Sequence, residues 1–492
     1  MDIETKEPSR AIGLLAKALS QTGVSVIALL ALLVAAILDA DLWIQFGIAS
    51  AFVALNILIT SRVNRLITEP FGSAEEQELV NLATQEVSEK EKRIALLAKY
   101  WPAATLVFAI VAVVLSAVGQ FNPVSALSVF AACLLLTNSH ALALVIPFGF
   151  SRTIRLAFNS GVVIRSRAAF EKLAKVNLLL FTKGGVLTDL PKGVNSVRLS
   201  TKSSFKDESK LLALAASVES LSEHAFGKAI TRSAENSNLR ITKPKDFREF
   251  PGFGIEGVVS GKRVLVGSTA LLLQRNIRME VQELIYADES TKSGYSIVCV
   301  VVDGVLEGIL RFTDVVKESS VDAVYLVARE RIRVGLITGD SAGTAQHKAE
   351  QLNISEVYGE LSPELKAMFV ASQQSRGALV AAIANPDTDN GLLDQADVSI
   401  ALGEQGSDTA DVSVASDDPE KAADAVALSA RLRKKTSKSL AIGLGYSLVS
   451  MGAFVAIVSP LQFVAPPAIT AMLGSLSLIV VTLNTYSLRK LK

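Results

Sequence analysis

Six long apolar segments constrain this chain more than any other feature of its sequence. They lie at roughly residues 22–40, 42–60, 102–119, 125–148, 438–459 and 463–486. Each approaches the roughly 20 residues that an α-helix needs to cross the hydrocarbon core of a bilayer. The sequence therefore predicts a multi-pass α-helical membrane protein with six helices, in contact with membrane lipid.

The distribution of Lys and Arg predicts the orientation of these helices. The short connections within the three pairs, at residues 39–41, 120–123 and 460–462, contain neither residue type. The opposite flanks carry Arg62, Arg65, Lys90, Lys92, Arg93, Lys99, Arg152, Arg155, Arg489, Lys490 and Lys492. Because positive charge accumulates on the cytoplasmic side of membrane proteins, we expect both termini in the cytoplasm.

Charge and cysteine content exclude other classes of protein. The 492 residues are half apolar and carry a net charge of +1, so binding to nucleic acid is not indicated. Cys133 and Cys299 are far apart in sequence and form no Cys-x-x-Cys pair, so the sequence predicts packed thiols rather than a zinc site or a disulfide framework.

A soluble insert from about residue 152 to 435 has the pattern of an α/β domain. Short apolar runs typical of buried parallel strands alternate with helical stretches. The predicted strands are 178–181, 334–337 and 379–383, and two of the predicted helices are 317–329 and 344–351. A doubly wound sheet places its chemistry at the carboxyl ends of its strands, which here means the loops that begin with Thr182, Thr338 and Asn385.

A second domain is predicted within this insert, at about residues 190–305, where Val, Ile and Gly alternate. Its landmarks are Ser222-Glu223-His224-Ala225 and a Gly-x-Gly-x-x-Gly run that starts at Gly252 and Gly254. Such a run is usually a turn between strands, but it also allows a nucleotide to approach the backbone closely.

Several stretches in the same order resemble one known family. Phe181-Thr182-Lys183-Gly184-Gly185-Val186-Leu187-Thr188 is similar to the Asp-Lys-Thr-Gly-Thr-Leu-Thr signature of P-type cation-pumping ATPases, and Thr338-Gly339-Asp340 is similar to their phosphate-binding loop. Further similar stretches are 141–147, 171–176, 314–317, 363–366 and 394–401. Together they resemble the heavy-metal-transporting branch of that superfamily.

The resemblance implies a domain order. It implies membrane helices in residues 1–60, 102–151 and 436–492, and a cytoplasmic haloacid-dehalogenase-like phosphorylation domain in 152–190 and 306–435. It also implies an inserted α+β nucleotide-binding domain in 191–305. Residues 61–101 are too few for the family's actuator domain and contain no Thr-Gly-Glu, so a charged helical connection is expected there.

Departures from the family motifs fall on the residues that carry its chemistry. Thr182 stands where the phosphoryl-accepting aspartate is expected, and Asn385 stands where a magnesium-holding carboxylate is expected. Asn138-Ser139-His140 replaces the metal-binding Cys-Pro-Cys in the fourth apolar segment, which removes soft thiolate ligands but leaves a polar membrane site. Magnesium prefers anionic oxygen ligands, so its binding is expected to be weak or absent.

Other residues of the implied site are kept, namely Lys183, Thr338, Gly339, Asp340, Lys366 and Asp389. Lys183 and Lys366 could bind an anion at the sheet edge, while Lys366 could instead cap a helix or pair with Asp340. For the nucleotide domain, the resemblance implies binding of ATP or ADP near His224, Gly252 and Gly254.

The sequence therefore predicts a degenerate P-type ATPase-like protein without the covalent chemistry. The leading hypothesis is a nucleotide-sensing or scaffolding partner of another membrane protein or pump subunit. One alternative is an ATP-driven cation transporter with altered chemistry, and another is passive passage of a small solute past Asn138, Ser139 and His140.

Overall fold

The computed structural model describes residues 21–68, 89–116, 122–137, 140–403, 409–454 and 466–488. These residues belong to two compact units, which are described separately. The first unit comprises the chain up to Ala157 and from Arg431 onward, and the second comprises Phe158–Ala430.

The first unit is helical. Before the second unit begins, its described part contains α1 (Gln21–Leu38), α2 (Trp43–Thr68), α3 (Glu89–Ser116), α4 (Pro123–Leu136) and α5 (His140–Phe158). Among the described residues, three stretches are long and apolar enough to cross a membrane: Ala40–Thr68, Lys92–Ser116 and Pro467–Tyr486. The full set of six predicted spanning helices is therefore not confirmed.

The predicted fourth spanning helix, residues 125–148, is wrong as a continuous helix. The Asn122 side chain caps α4 by accepting a hydrogen bond from Val124 N at 2.9 Å, and Pro123 is its first residue. Thr137 then leaves helical geometry with φ −92° and ψ 84°, and a new helix begins at His140. Asn138 and Ser139 lie outside the described residues.

The second unit opens with β1 (Val162–Ile164), α6 (Arg167–Leu173) and β2 (Leu178–Thr182). Every residue of β2 is buried, which is why its sequence is continuously apolar rather than alternating.

An inserted domain follows β2. Its elements are β3 (Ser196–Leu199), α7 (Glu208–Glu219), α8 (Ala225–Asn236), β4 (Lys245–Phe250), β5 (Gly254–Val259), β6 (Lys262–Gly267), α9 (Thr269–Gln274), α10 (Val281–Lys292), β7 (Tyr295–Val302) and β8 (Val305–Thr313). They form an antiparallel sheet with the strand order β3-β8-β7-β6-β5-β4. The boundary predicted at residue 305 is too early, because β8 starts there and pairs with β7 along its length.

The core sheet resumes after the insertion. Its remaining elements are α11 (Glu318–Arg329), β9 (Arg333–Ile337), α12 (Ala342–Gln351), β10 (Glu356–Tyr358), α13 (Pro363–Ser375), β11 (Val380–Ala384), α14 (Pro386–Gln395), β12 (Val398–Leu402) and β13 (Val412–Val414). The strand order is β1-β13-β12-β11-β2-β9-β10. Strands β2, β9 and β11 confirm the three predicted buried strands, and their mutual pairing is parallel.

Two long helices complete the described chain, α15 (Pro419–Ala453) and α16 (Pro467–Tyr486). Helix α15 begins in the second unit and continues in the first, so it starts well before the predicted membrane segment at 438. Helix α16 lies within the predicted segment 463–486. Both cysteines are buried free thiols, as the sequence predicts.

Candidate functional site

Three loops meet at one edge of the core sheet because β11, β2 and β9 are adjacent parallel strands. Thr182, the last residue of β2, pairs with Ile337, the last residue of β9. Asn385 follows β11, whose Ile383 pairs with Phe181. The loops that the sequence singled out therefore lie side by side, as expected for the carboxyl edge of a parallel sheet.

Thr182 is the residue at the centre of this edge. It is only 1% exposed, and its Oγ1 is buried without a hydrogen-bond partner among the described residues. A hydroxyl needs an adjacent general base to become a nucleophile. No base is bonded to the Thr182 hydroxyl among the described residues.

Lys183 lies between two aspartates. Its Nζ forms ion pairs with Asp314 and Asp340 and lies 3.1 Å from Ser296 Oγ. Burial alone would lower the pKa of Lys183, but the two carboxylates outweigh it and hold that pKa above its ordinary value. Burial also opposes ionisation of Asp340, yet Lys183 and the hydroxyl of Thr338 keep the pKa of that carboxyl below its usual range.

Asp314 connects this edge with strand β7 of the inserted domain through a hydrogen bond. It follows β8, and its Oδ2 accepts a hydrogen bond from Ser296 Oγ of β7 at 2.7 Å. Its backbone oxygen accepts another from Lys348 Nζ, also at 2.7 Å. Burial lowers the pKa of Lys348. Sequence analysis did not identify Ser296 or Lys348, because more than 110 residues separate Lys183 from either one.

Lys366 and Asp389 form the second ion pair of the edge. Lys366 Nζ lies 2.6 Å from Asp389 Oδ1, and both side chains are buried. The suggested pairing of Lys366 with Asp340 is therefore wrong, although Lys366 still helps to lower the pKa of Asp340. Asp389 receives a further hydrogen bond from Thr388 Oγ1 at 3.0 Å.

Asn385 has a structural role at the position where the resemblance places a magnesium ligand. Its Oδ1 accepts a hydrogen bond from Asp387 N at 2.9 Å and thereby caps α14. Gly185 lies so close that a Cβ there would be 3.2 Å from Asn385 Nδ2, and its φ of +75° also requires glycine. The Gly185 oxygen in turn accepts a hydrogen bond from Lys317 at 2.8 Å.

Ion pairs among its own residues compensate much of the charge at this edge. Among the described residues, Lys183, Lys317 and Lys366 pair with Asp314, Asp340, Asp389 and Asp417, and Lys348 donates to the backbone oxygen of Asp314. Carboxylates at positions 182 and 385 would add two negative charges, which a divalent cation would offset.

The residues present do not fit a magnesium ion. Within the described residues, no three His, Cys, Asp or Glu side chains are grouped to hold a metal. Three aspartates at the edge are occupied by lysines, and the side chains of Thr182 and Asn385 are neutral. Magnesium needs several anionic oxygen ligands in near-octahedral geometry, which this edge does not supply.

His224 of the inserted domain faces the same edge. Its Nδ1 accepts a hydrogen bond from Phe226 N at 3.3 Å, and the two rings stack with centroids 5.5 Å apart. Burial lowers the pKa of His224, while Glu249 and then Asp340 and Asp389 of the core domain act in the opposite direction. The side chain of His224 is exposed and lies close enough to Asp340 and Asp389 for their charges to affect its pKa.

The two glycines of the nucleotide motif serve packing. A Cβ on Gly254 would lie 2.5 Å from Gly267 Cα and would collide with the carbonyl oxygen of Val266. Gly252 has a φ of +76°, and a Cβ there would lie 3.0 Å from Pro363 Cδ of the core domain. Gly254 thus allows β5 and β6 to pair, and Gly252 allows the two domains to meet.

Glu219 is a buried acidic residue of the inserted domain that sequence analysis missed. It ends α7 and is buried, and burial raises the pKa of its carboxyl to about 7. A Cβ on Gly227 would collide with its Oε2, so α8 leaves space for this carboxyl. The only sequence signal is an acidic residue at the end of an apolar helix, which is commonly a solvated position.

Comparisons with known proteins agree with this geometry. Residues 176–384 match the haloacid dehalogenase-like hydrolase family. The chain is 31% identical over 360 residues to the copper-exporting P-type ATPase B of Archaeoglobus fulgidus, covering 72% of this chain and 51% of that protein. It is 29% identical over 377 residues to a probable copper-transporting P-type ATPase B of Staphylococcus aureus, covering 75% and 55% respectively.

A solved structure supports the same fold. The crystal structure of a zinc-transporting PIB-type ATPase in the E2.Pi state superposes with a TM-score of 0.54 at 22% identity, covering 87% of this chain and 66% of that one. The chain spans about half the length of the two curated relatives that it matches.

Proposed function

This chain belongs to the P-type ATPase superfamily and is most similar to its heavy-metal-transporting branch, and from this premise we propose that it is a non-phosphorylating member. In this proposal it binds ATP or ADP beside His224, does not form a phosphoenzyme, and acts as a nucleotide-sensing or scaffolding partner of another membrane protein.

One observation carries the proposal: the buried Thr182 hydroxyl occupies the acceptor position without a base. A P-type phosphoenzyme requires a carboxylate that becomes an acyl phosphate, and a threonine cannot form that mixed anhydride. Lys183 supports the same conclusion, because it is already engaged by the carboxylates of Asp314 and Asp340.

Nucleotide binding without magnesium follows from the distribution of the retained groups. His224 and Glu219 lie in the inserted domain, while the residues that would hold the metal are those of the core sheet edge, where the ligands do not fit. We therefore propose that ATP and ADP bind weakly and that their affinity does not depend on magnesium. The chemistry that remains is recognition rather than transfer.

The second candidate is an ATP-driven heavy-metal transporter with altered chemistry. The two relatives, a copper exporter and a probable copper transporter, favour it over the non-pumping role. It requires a phosphoryl acceptor or hydrolytic mechanism other than Thr182. Because the chain spans about half of those relatives, their activity is proposed for this chain only as this alternative.

Calorimetry on the full chain in detergent separates the two candidates. We expect ATP to bind equally with magnesium and with EDTA, and His224→Ala to weaken binding at least about tenfold, as expected for loss of a direct ligand contact. His347→Ala, the same change on α12, is the matched control and should leave binding intact. ATP turnover stimulated by copper or zinc would overturn the non-phosphorylating proposal and establish the alternative.

A further inference from the structure

A polar cluster beneath α10 in the inserted domain lies outside the site described above. Strand pairing sets Ser196 of the edge strand β3 directly opposite Arg311 of β8, and Arg198 lies two residues further along the same face. Helix α10 places Tyr286 over both arginines. The guanidinium carbons of Arg198 and Arg311 lie 4.1 and 5.6 Å from the centre of its ring.

Among the described residues, the two arginines have no anionic partner. Arg311 also lies 4.2 Å from the ring of Tyr295, so its contacts at this site are aromatic. The arginines that form ion pairs elsewhere in this unit include Arg263, Arg275 and Arg333, whereas within the described residues neither Arg198 nor Arg311 has a carboxylate oxygen within 4.0 Å. Stacking uses the face of a guanidinium and leaves donors at its edge.

Buried polar atoms without partners surround the same tyrosine. Ser196 Oγ and Arg311 Nε are buried and form no hydrogen bond within the described chain. The same holds for Glu283 Oε2 and Ser290 Oγ, which lie about one turn before and after Tyr286 on α10. Native proteins leave few buried polar atoms unsatisfied. Ser196 Oγ and Arg311 Nε can donate to an anion, whereas Glu283 Oε2 is a carboxylate acceptor and cannot.

We propose that Arg198, Arg311 and Ser196 form a binding site for a phosphate group. Two guanidinium groups and one hydroxyl supply the donors that a tetrahedral oxyanion requires, and arginine is the side chain that matches phosphate most closely in geometry. The nearby carboxylate of Glu283 is held by donors of the β3–α7 loop, with Oε1 accepting from Thr201 N at 2.8 Å and from Ser200 Oγ at 3.0 Å. The two arginines therefore leave this face positively charged.

Arginine on an edge strand also has a purely structural use, because a charged side chain discourages pairing with another sheet. That role explains Arg198, which is exposed. It does not explain the half-buried Arg311 or the unsatisfied hydroxyl opposite it. The two explanations differ in one measurable way, since only the binding site releases heat when phosphate is added.

The test is calorimetric titration of the full chain in detergent with inorganic phosphate at constant ionic strength, with chloride as the reference anion. We expect saturable binding that Arg198→Gln and Arg311→Gln each weaken at least about tenfold, the usual cost of losing one charge-assisted hydrogen-bonding group. Arg263→Gln removes the same charge from β6, which lies two strands away from β8 in the sheet, and is the matched control. Arg198→Gln keeps the test valid if Arg311→Gln does not fold, because Arg198 is exposed.

A second set of titrations identifies the source of the phosphate group. Competition by short-chain phosphatidic acid, but not by short-chain phosphatidylcholine, would assign the site to a lipid headgroup. If phosphatidic acid does not compete with inorganic phosphate, the site binds a soluble phosphate. No heat with millimolar phosphate, or equal binding by all four proteins, would overturn the proposal. His224→Ala should leave phosphate binding unchanged, so this site and the proposed nucleotide site beside His224 can fail independently.

Discussion

Nζ of Lys366 lies 2.6 Å from Oδ1 of Asp389, and both residues are buried at the edge of the core sheet. The lysine that the family motif assigns to a phosphoryl group is thus already paired with an aspartate of the same site. Together with Lys183, which contacts both Asp314 and Asp340, this pair engages three aspartates of the edge with two lysines, and positions 182 and 385 hold neutral side chains.

The first prediction concerns covalent chemistry. Incubation of the purified protein with γ-labelled ATP should give no acid-stable, hydroxylamine-sensitive label, because position 182 holds a threonine. Gel autoradiography after acid quenching, with and without hydroxylamine, measures this. Label that hydroxylamine removes would show that another carboxylate, such as Asp387 or Asp389, accepts the phosphoryl group.

The second prediction is a gain of magnesium binding. Thr182→Asp combined with Asn385→Asp returns two carboxylates to the edge, so magnesium should stabilise the double variant by about 2.7 kcal/mol at 100 times its dissociation constant. At roughly 2–4 °C per kcal/mol, thermal melting detects such a change. Thr182→Asn with native Asn385 is the neutral control. A magnesium-dependent rise in the Tm of the unaltered protein would contradict the conclusion that this edge does not fit magnesium.

The third prediction concerns Lys183 as the internal counter-ion. Lys183→Met leaves Asp314 and Asp340 buried and unpaired, so it should destabilise the protein by about 3–5 kcal/mol. Lys175→Met, an exposed lysine in the turn before β2, should change stability by less than about 0.5 kcal/mol. Melting midpoints of the three proteins decide the matter, and equal midpoints for both variants would show that the ion pairs contribute nothing.

The fourth prediction is a pH dependence caused by Glu219. Burial raises the pKa of this carboxyl from 4.5 to about 7, so the native state favours its protonated form. Its contribution to stability is complete below pH 4.5 and is lost as the pH rises through about 7. Glu219→Gln is neutral at every pH and should gain about 3 kcal/mol relative to the native protein across this range. Parallel stability curves for the two proteins from about pH 5 to about pH 8 would disprove the assignment.

The fifth prediction separates packing from binding at Gly254. Gly254→Ala introduces a Cβ that collides with β6, and the φ of +152° at this position is strained for alanine. The substitution should therefore destabilise the fold by roughly 1–3 kcal/mol with or without nucleotide. Gly391→Ala, in α14 with open space around its Cα, should be neutral or slightly stabilising. If Gly254→Ala keeps full stability and loses only ATP affinity, the glycine acts on the nucleotide instead.

The sequence determined the strands and the order of the loops, because these depend on local patterns. The apolar run of β2 predicts a strand buried on both faces, and the parallel sheet then brings Thr182, Thr338 and Asn385 to one edge. The absent carboxylates at 182 and 385 are likewise visible in the sequence alone. A break within an apolar run is less visible, which is why the interruption at Thr137 was missed.

Only the tertiary structure decided which charges meet. Lys183 contacts Asp314, which is 131 residues away in sequence. Lys366 pairs with Asp389 rather than Asp340. Arg311 lies opposite Ser196 because two segments distant in sequence pair as strands. A motif specifies the residue type at a position, but ion pairing in a protein interior depends on distances and burial that arise when separate elements pack together. For that reason the sequence shows which residue types stand at positions 182 and 385, while the folded structure determines how the charged residues around them pair.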